Sequence, residues 1–312
     1  DSGEYELLDK HESYASSAAL LPESNTLITA GYDGALQWFD LEKNERIRRV
    51  PLHGFWSWEM ALSPDKQLVA SVTGQYLAGG YRYEPQAERE PSVRVLSATS
   101  GEILHSFPHV PSVQAVAFSP DSRYVAAGNL MGEVRVWDLT TGEMAANWTT
   151  PDFTSWGIIK SHCYLGGIFA LRFTPDGSAL LLAGMGPMRD PMAGNGRQLW
   201  QKFAWQESPP RKIDETHKDE SGEGLMEALA VHPAGDRFVM GGRLRGGSWN
   251  VGLFSTEDGR LLDSLKTECR VTGAHFTADG QRLILTGTQG QPRNKDGSTP
   301  NFGRVDVFDL LS

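Results

Sequence analysis

The stretch SVQAVAFSPDSRYVAAGNLMGEVRVWDLTTGE, residues 112–143, decides how the rest of the chain is read. Val113, Ala115 and Ala117 alternate with Gln114 and Val116, and Pro120-Asp121-Ser122 supplies a turn. Tyr124 to Ala127 runs up to Gly128, and Val134, Val136 and Leu139 alternate with Arg135 before Thr141-Gly142 turns the chain again. Alternation with a period of two, punctuated by Pro, Asp and Gly, predicts a three-stranded antiparallel meander. Three strands with one apolar face do not bury that face alone, so such a unit needs neighbours of its own kind.

The copies are marked by the turn after the first strand, which recurs at Pro22, Pro64, Pro120, Pro175, Pro233 and, in altered form, Ala278. The steps run from 42 residues (Pro22 to Pro64) to 58 (Pro175 to Pro233). A third strand closes each unit: ALQWFDL from Ala35, SVRVLSA from Ser92, EVRVWDL from Glu133, QLWQKFA from Gln198, NVGLFST from Asn250 and RVDVFDL from Arg304. Fourth strands follow at Asn44 to Val50, Gly101 to Phe107, Gly142 to Trp148, Pro209 to Glu215 and Gly259 to Leu265. After RVDVFDL the sequence ends, and the stretch GEYELLDKH from Gly3 resembles GEILHSFPH from Gly101. The expectation is that Gly3 to Leu8 supplies the missing strand, which removes the exposed sheet edge at the seam.

These residues resemble the WD40 repeat family of β-propellers, in a divergent form of bacterial type. Only Val134 to Leu139 carries the Trp-Asp pair, as Trp137-Asp138. The family places a His before the first strand, and His11, His53 and His109 each stand nine residues ahead of Leu20, Leu62 and Phe118. In the first unit His11, Thr29 and Asp33 match the family's buried network, with Phe39 at the Trp position; in the third, His109 and Trp137 match, while Met131 replaces the Asp. The resemblance implies an all-β fold, a single closed β-propeller over residues 1–312, with six four-stranded blades; seven is the alternative count.

Composition agrees with this fold and excludes several function classes. The 312 residues carry 29 Lys and Arg against 39 Asp and Glu, a net charge of −10, which disfavours general attraction to nucleic acid or anionic lipid. No apolar run is long enough to cross a membrane. Cys163 and Cys269 are the only cysteines and form no CxxC pair, and they fall in separate units too far apart for a mutual disulfide. The sequence opens at Asp1 without Met, inside a strand-forming segment, which is the pattern left by processing or by excision from a longer protein. The compartment is cytoplasmic or, after removal of a signal peptide, periplasmic or extracellular.

The irregularities are where function is expected. Links from second to third strand expand at Gly74 to Glu90, Gly184 to Arg197, Gly241 to Trp249 and Gly287 to Arg304; links from fourth strand to the next first strand expand at Thr149 to Gly167 and Thr216 to Glu227. In an up-and-down meander both link types leave the same end of the sheets, and long loops on a rigid scaffold concentrate binding and catalysis. The four expanded second-to-third links hold Arg82, Arg89, Arg189, Arg197, Arg243, Arg245, Arg293, Lys295 and Arg304 against Glu84, Glu88, Glu90, Asp190 and Asp296, a local excess of positive charge.

Arg, Tyr and Trp are the residues enriched at interface hot spots. The candidate binding residues are therefore Tyr81, Arg82, Tyr83, Trp156, His162, Arg189, Asp190, Arg197, Arg243, Arg245, Trp249, Arg293 and Arg304. Met185, Met188 and Met192 either line an adaptable surface or plug the axial channel. Asp190, Asn195 and Asp296 lack the dense alternation of oxygen ligands that marks a Ca²⁺ loop, and neither a metal nor an organic cofactor is expected. No GxSxG, HExxH, P-loop or dinucleotide motif occurs in a fitting context. The first expectation is a non-enzymatic scaffold that binds a protein or peptide bearing acidic groups on the elaborated face. The alternative is a hydrolase or lyase at the mouth of the channel, using His162, Asp190, Arg245 and Glu227, with Glu223 and Glu227 as an acid pair.

Overall fold

A computed structural model describes residues 7–74, 87–156, 164–190, 195–220, 224–244, 247–288 and 303–310. Six antiparallel sheets follow one another along the chain as the blades of a β-propeller, and the described residues contain no α-helix. The first sheet is β1 (Ala15–Leu21), β2 (Thr26–Gly31), β3 (Ala35–Asp40) and β4 (Glu45–Pro51); the second is β5 (Ser57–Leu62), β6 (Leu68–Thr73), β7 (Val93–Ser97) and β8 (Ile103–Phe107). The third is β9 (Val113–Phe118), β10 (Tyr124–Asn129), β11 (Glu133–Asp138) and β12 (Met144–Thr149). The fourth adds a short β13 (Thr154–Trp156) ahead of β14 (Tyr164–Phe173), β15 (Leu180–Asp190), β16 (Asn195–Ala204) and β17 (Arg211–Glu215). The fifth is β18 (Gly224–Val231), β19 (Arg237–Leu244), β20 (Val251–Ser255) and β21 (Leu261–Leu265), and the sixth is β22 (Arg270–Phe276), β23 (Arg282–Thr288) and β24 (Gly303–Asp309).

Each of the six third strands and five fourth strands expected from the sequence is present, displaced by three residues at most. The strand expected at Gly3 to Leu8 lies largely outside the described residues; Leu7 and Leu8 are described and are not in a strand. One link departs from expectation. Gly184 to Arg197 reads as a Gly- and Pro-rich loop, yet β15 and β16 run on through it, with Met185 opposite Gln198, Met188 opposite Gly196 and Asp190 opposite Asn195. Register shifts at Met185/Met188 and Met188/Asp190 accommodate the irregular sequence, as bulges do.

In four of the six repeats the marking turn is closed by a local hydroxyl–carboxylate bond. In the second sheet the Ser63 hydroxyl donates to Asp65 (2.6 Å) and accepts from the N–H of Leu68 (2.9 Å), while the Asp65 carboxylate accepts from the N–H of Gln67 (3.0 Å). Ser119 and Asp121, Thr174 and Asp176, and Thr277 and Asp279 repeat the hydroxyl–carboxylate bond at 2.5 Å each. The third residue after the hydroxyl is left-handed every time: Lys66 (φ 64°), Ser122 (φ 60°), Gly177 (φ 71°) and Gly280 (φ 69°). Glycine suits that position because it has no Cβ to clash.

The chain packs as two compact units. One holds the first and second sheets, β9 and most of β10; the other holds the fourth, fifth and sixth sheets, with the remainder of the third divided between them. In the first unit Ile28, Leu36 and Trp38 pack with Val69, Leu96 and Ala98, and Trp38 Nε1 donates to the Ala98 carbonyl (2.6 Å). Val93, Phe107, Val116 and Trp137 form the adjoining cluster. In the second unit Leu181, Trp200, Phe238 and Phe254 form one core, and Val239, Val251, Val271 and Leu285 another. Full burial of each such side chain contributes about 1.5–3 kcal/mol, so these clusters supply the main drive for sheet-on-sheet packing.

Candidate functional site

The ends of the sheets that carry the long links are fixed, in the first unit, by histidines. His11 bridges Asp33 through Nδ1 (2.8 Å) and Thr29 through Nε2 (2.8 Å), and Asp33 in turn accepts from the N–H groups of Glu12 (3.2 Å) and Ala35 (3.2 Å). Burial alone pushes the Asp33 carboxyl up, but the bonds from His11, Glu12 and Ala35 outweigh it and hold the group below the usual carboxylate range. The first unit therefore builds the His–Thr–Asp set anticipated from spacing. The other two histidines are also structural. His53 Nε2 lies 3.0 Å from Ser71 Oγ, and His109 Nε2 lies 3.3 Å from the Ala127 carbonyl with its ring edge-on to Trp137. Burial, with the Arg94 guanidinium nearby, lowers His53 to about 3. At the opposite, tight-turn end, two N–H groups of Arg123 converge on Asp138 Oδ2 (3.0 and 2.6 Å) and hold that carboxyl down to about 2.

The sequence-based candidates divide sharply when placed. Tyr81, Arg82, Tyr83, His162, Arg245 and Arg293 lie outside the described residues. Trp156 pairs with Tyr164 in the β13–β14 hairpin, and Arg189 and Asp190 lie at the end of β15. Arg197 donates to the Thr216 carbonyl (2.6 Å), and Arg304 binds Asp306 (2.8 Å) and lies 3.7 Å from Glu268. Arg243, near the end of β19, is exposed.

Two expectations are corrected. Trp249 is 6% exposed and packs edge-on to Phe254 (6.0 Å), so it is a core residue in place of the stacking surface expected after a Gly-rich link. Glu227 forms a two-pronged ion pair with Arg270 and is engaged as a partner of that cation; its expected companion Glu223 lies outside the described residues. Cys269 is a buried free thiol 3.6 Å from Thr267 Oγ1; Cys163 lies outside the described residues. Among the described residues no group of three or more His, Cys, Asp or Glu side chains has the arrangement of a metal site.

One feature of the first unit was missed. Tyr32 in the β2–β3 link stacks on Trp56 (4.7 Å, 11°) and on Trp58 (5.4 Å, 18°), Phe55 stacks on Trp56 (5.0 Å, 18°), and Tyr14 meets Tyr32 edge-on (6.3 Å). Trp56 is 40% exposed and Tyr14 61%. The sequence signal was the run Phe55-Trp56-Ser57-Trp58, which spans the end of the β4–β5 link and the start of β5, at the same end of the sheets as the expanded links.

A family model described as WD domain, G-beta repeat matches residues 101–138, the stretch from β8 to β11. Telomerase protein component 1 of Rattus norvegicus is 28% identical over 119 residues, 38% of this chain and 4% of that protein, and its Mus musculus counterpart is 27% identical over the same length. Telomerase Cajal body protein 1 of Homo sapiens is 24% identical over 208 residues, 65% of this chain and 33% of that protein. The chain spans only a small part of the first two relatives and a third of the human one. The matched repeat, the six antiparallel sheets and the His11–Thr29–Asp33 set together support a WD40 β-propeller.

Proposed function

We propose that the chain is a non-enzymatic interaction module that binds a protein or peptide at the end of its sheets carrying the long links. The observation that carries this is the contrast between the two ends. Among the described residues, four of the tight turns are closed by their own hydroxyl–carboxylate bonds, whereas the long-link ends present exposed Tyr14 and Trp56 in the first unit and exposed Arg243 in the second. Aromatic and Arg side chains on a rigid scaffold are the composition of interface hot spots. The likeness to WD-repeat proteins supports a scaffold role.

A partner with acidic groups is favoured by one specific observation, the exposed Arg243 in the second unit. A photo-cross-linking amino acid placed at position 243, at the linked end, and at position 258, in the β20–β21 turn of the same unit, tests the proposal. A protein captured from position 243, competed by unlabelled chain and absent from position 258, is the expected result. Equal capture at both positions overturns the choice of face.

A further inference from the structure

We infer that the free edge of β18, beside β14, binds a carboxylate through the Leu229 N–H and the Arg172 guanidinium; this deepens the acidic-ligand reading of the interaction module by naming one contact. Over its last half, the first strand of each sheet has a partner strand on one side only, so alternate N–H groups point away from the sheet. The N–H groups of Ser63, Ser119, Thr174, His232 and Thr277 bond to the second strand, each at 2.9 Å. Met60, Val116, Leu171, Leu229 and Ala274 stand three residues earlier, so their N–H groups point the other way. The first unit caps two of these from the preceding sheet. Ser17 Oγ accepts from the N–H of Met60 (3.1 Å), and the Glu59 carboxylate accepts from that of Val116 (2.8 Å). The chain therefore already pairs a carboxylate with an N–H of this kind.

The second unit replaces the cap with its complement. Ser17 and Glu59 stand five residues before the marking Pro of their repeats, and the same place holds Ala170 in β14 and Ala228 in β18, neither of which has a side-chain acceptor. Leu229 and Ala274 are buried, and a buried N–H is costly to leave without an acceptor. Ala170 packs with Met226 and Leu229, which sets its face of β14 against β18. Arg172 is two residues further on, hence on that same face, at a place where the sister repeats have Ala19, Ala61, Ala117 and Ala230. It is half-buried, and its Nη1 donates to the Leu171 carbonyl (2.6 Å). Its charge extends to β22, where burial and then Arg172 lower the His275 ring from its ordinary value. Relative to Glu59, Ala170 lacks one methylene and the carboxylate, a group the size of acetate. A carboxylate at that place gains a bond from the amide and the attraction of the guanidinium, whereas a neutral acceptor gains the first alone.

The test follows the backbone amide resonance of Leu229 and the ring of His275 in the full chain during titration with acetate, with acetyl-Gly-Glu-Gly-amide and, at matched ionic strength, with chloride. The expected result is a saturable shift of the Leu229 amide with a carboxylate and a rise in the titration midpoint of His275, because a bound anion offsets the charge of Arg172. A Glu peptide at least about five-fold tighter than acetate assigns the carboxylate to a partner's side chain, and acetate at equal or higher affinity assigns it to a free small acid. Arg172→Gln weakens binding about ten-fold. Ala170→Ser puts a hydroxyl where Ser17 has one and weakens acetate at Leu229, while Ala228→Ser, next to β22, leaves that binding in place. An equal shift with chloride, an unchanged acetate affinity in folded Ala170→Ser and Arg172→Gln, or no saturable shift overturns the inference. A protein captured from position 243 alongside a silent Leu229 leaves the interaction module standing and removes only this contact.

Discussion

His11 and Asp33, 22 residues apart, share a hydrogen bond of 2.8 Å with both side chains at most 5% exposed, and that bond pins the segment ahead of β1 to the β2–β3 link. Removing one partner leaves the other buried with its bonding unsatisfied. Asp33→Ala is expected to lower stability by about 2–3 kcal/mol in urea unfolding, and Asp33→Asn by less. A loss under about 0.5 kcal/mol means the network is ornamental to stability.

His53 sets a dependence on pH. Its folded value of about 3 lies below the ordinary 6.5, because burial and Arg94 oppose its charge. Between those two values the unfolded chain takes up a proton that the folded chain refuses, so stability falls as pH drops from about 6.5 towards 3. Urea midpoints measured at pH 7, 5 and 4 are expected to decline, by an amount on the order of a few kcal/mol at pH 4. His53→Gln is expected to flatten that decline; an unchanged slope assigns it to other groups.

Lys66 occupies a left-handed turn position (φ 64°) that Gly177 and Gly280 fill in sister sheets. Lys66→Gly relieves the Cβ strain and is expected to stabilise the chain by about 0.5–1 kcal/mol. A destabilising result in thermal unfolding shows that the loss of unfolded-state restraint outweighs the relief.

Trp249 and Arg243 belong to one expanded link but differ in kind. Trp249→Ala empties a core position beside Phe254 and is expected to cost about 3–5 kcal/mol. Arg243→Ala, at an exposed position, is expected to stay within about 0.5 kcal/mol of the parent while weakening partner binding. Calorimetry on the two variants separates them, and a large loss for Arg243→Ala ends its candidacy as a binding residue.

The outer strand of the sixth sheet exposes Val305 (64%) and Val307 (57%). If the stretch from Gly3 covers this edge, as its likeness to Gly101–Phe107 predicts, deleting residues 1–10 lowers the melting temperature by several degrees and promotes association through β24. Unchanged melting and a monomeric elution profile reject that pairing.

The strands were legible because their signals are local. Alternation in EVRVWD and the Ser-Pro-Asp turn act within a few residues, and β11 and the β9–β10 turn lie where they were expected. The continuation of β15 through Gly184 and Pro187 was not legible, because Gly and Pro there mark bulges within a pairing set by Gln198 to Asn195 on the opposite strand. Site residues fared worse for a related reason. Arg304 was counted as a surface cation although Asp306, two residues on and on the same face of the strand, binds it. The aromatic ladder joins residues 14, 32 and 55–58, whose proximity comes from the packing of β1 and β2 against β5 and from no single stretch of sequence.

The repeated Ser/Thr-x-Asp turn has a consequence for the history of such a chain. Its hydroxyl, carboxylate and backbone bonds begin and end within six residues, from Ser63 to Leu68 or from Thr277 to Arg282. A gene segment copied or deleted between two such turns carries its hairpin geometry with it, but the Asp65 N–H also donates to Ser122 Oγ in the next turn (3.1 Å), so the neighbouring copy must present a matching hydroxyl. Duplication can therefore lengthen the array where that hydroxyl is kept at the junction.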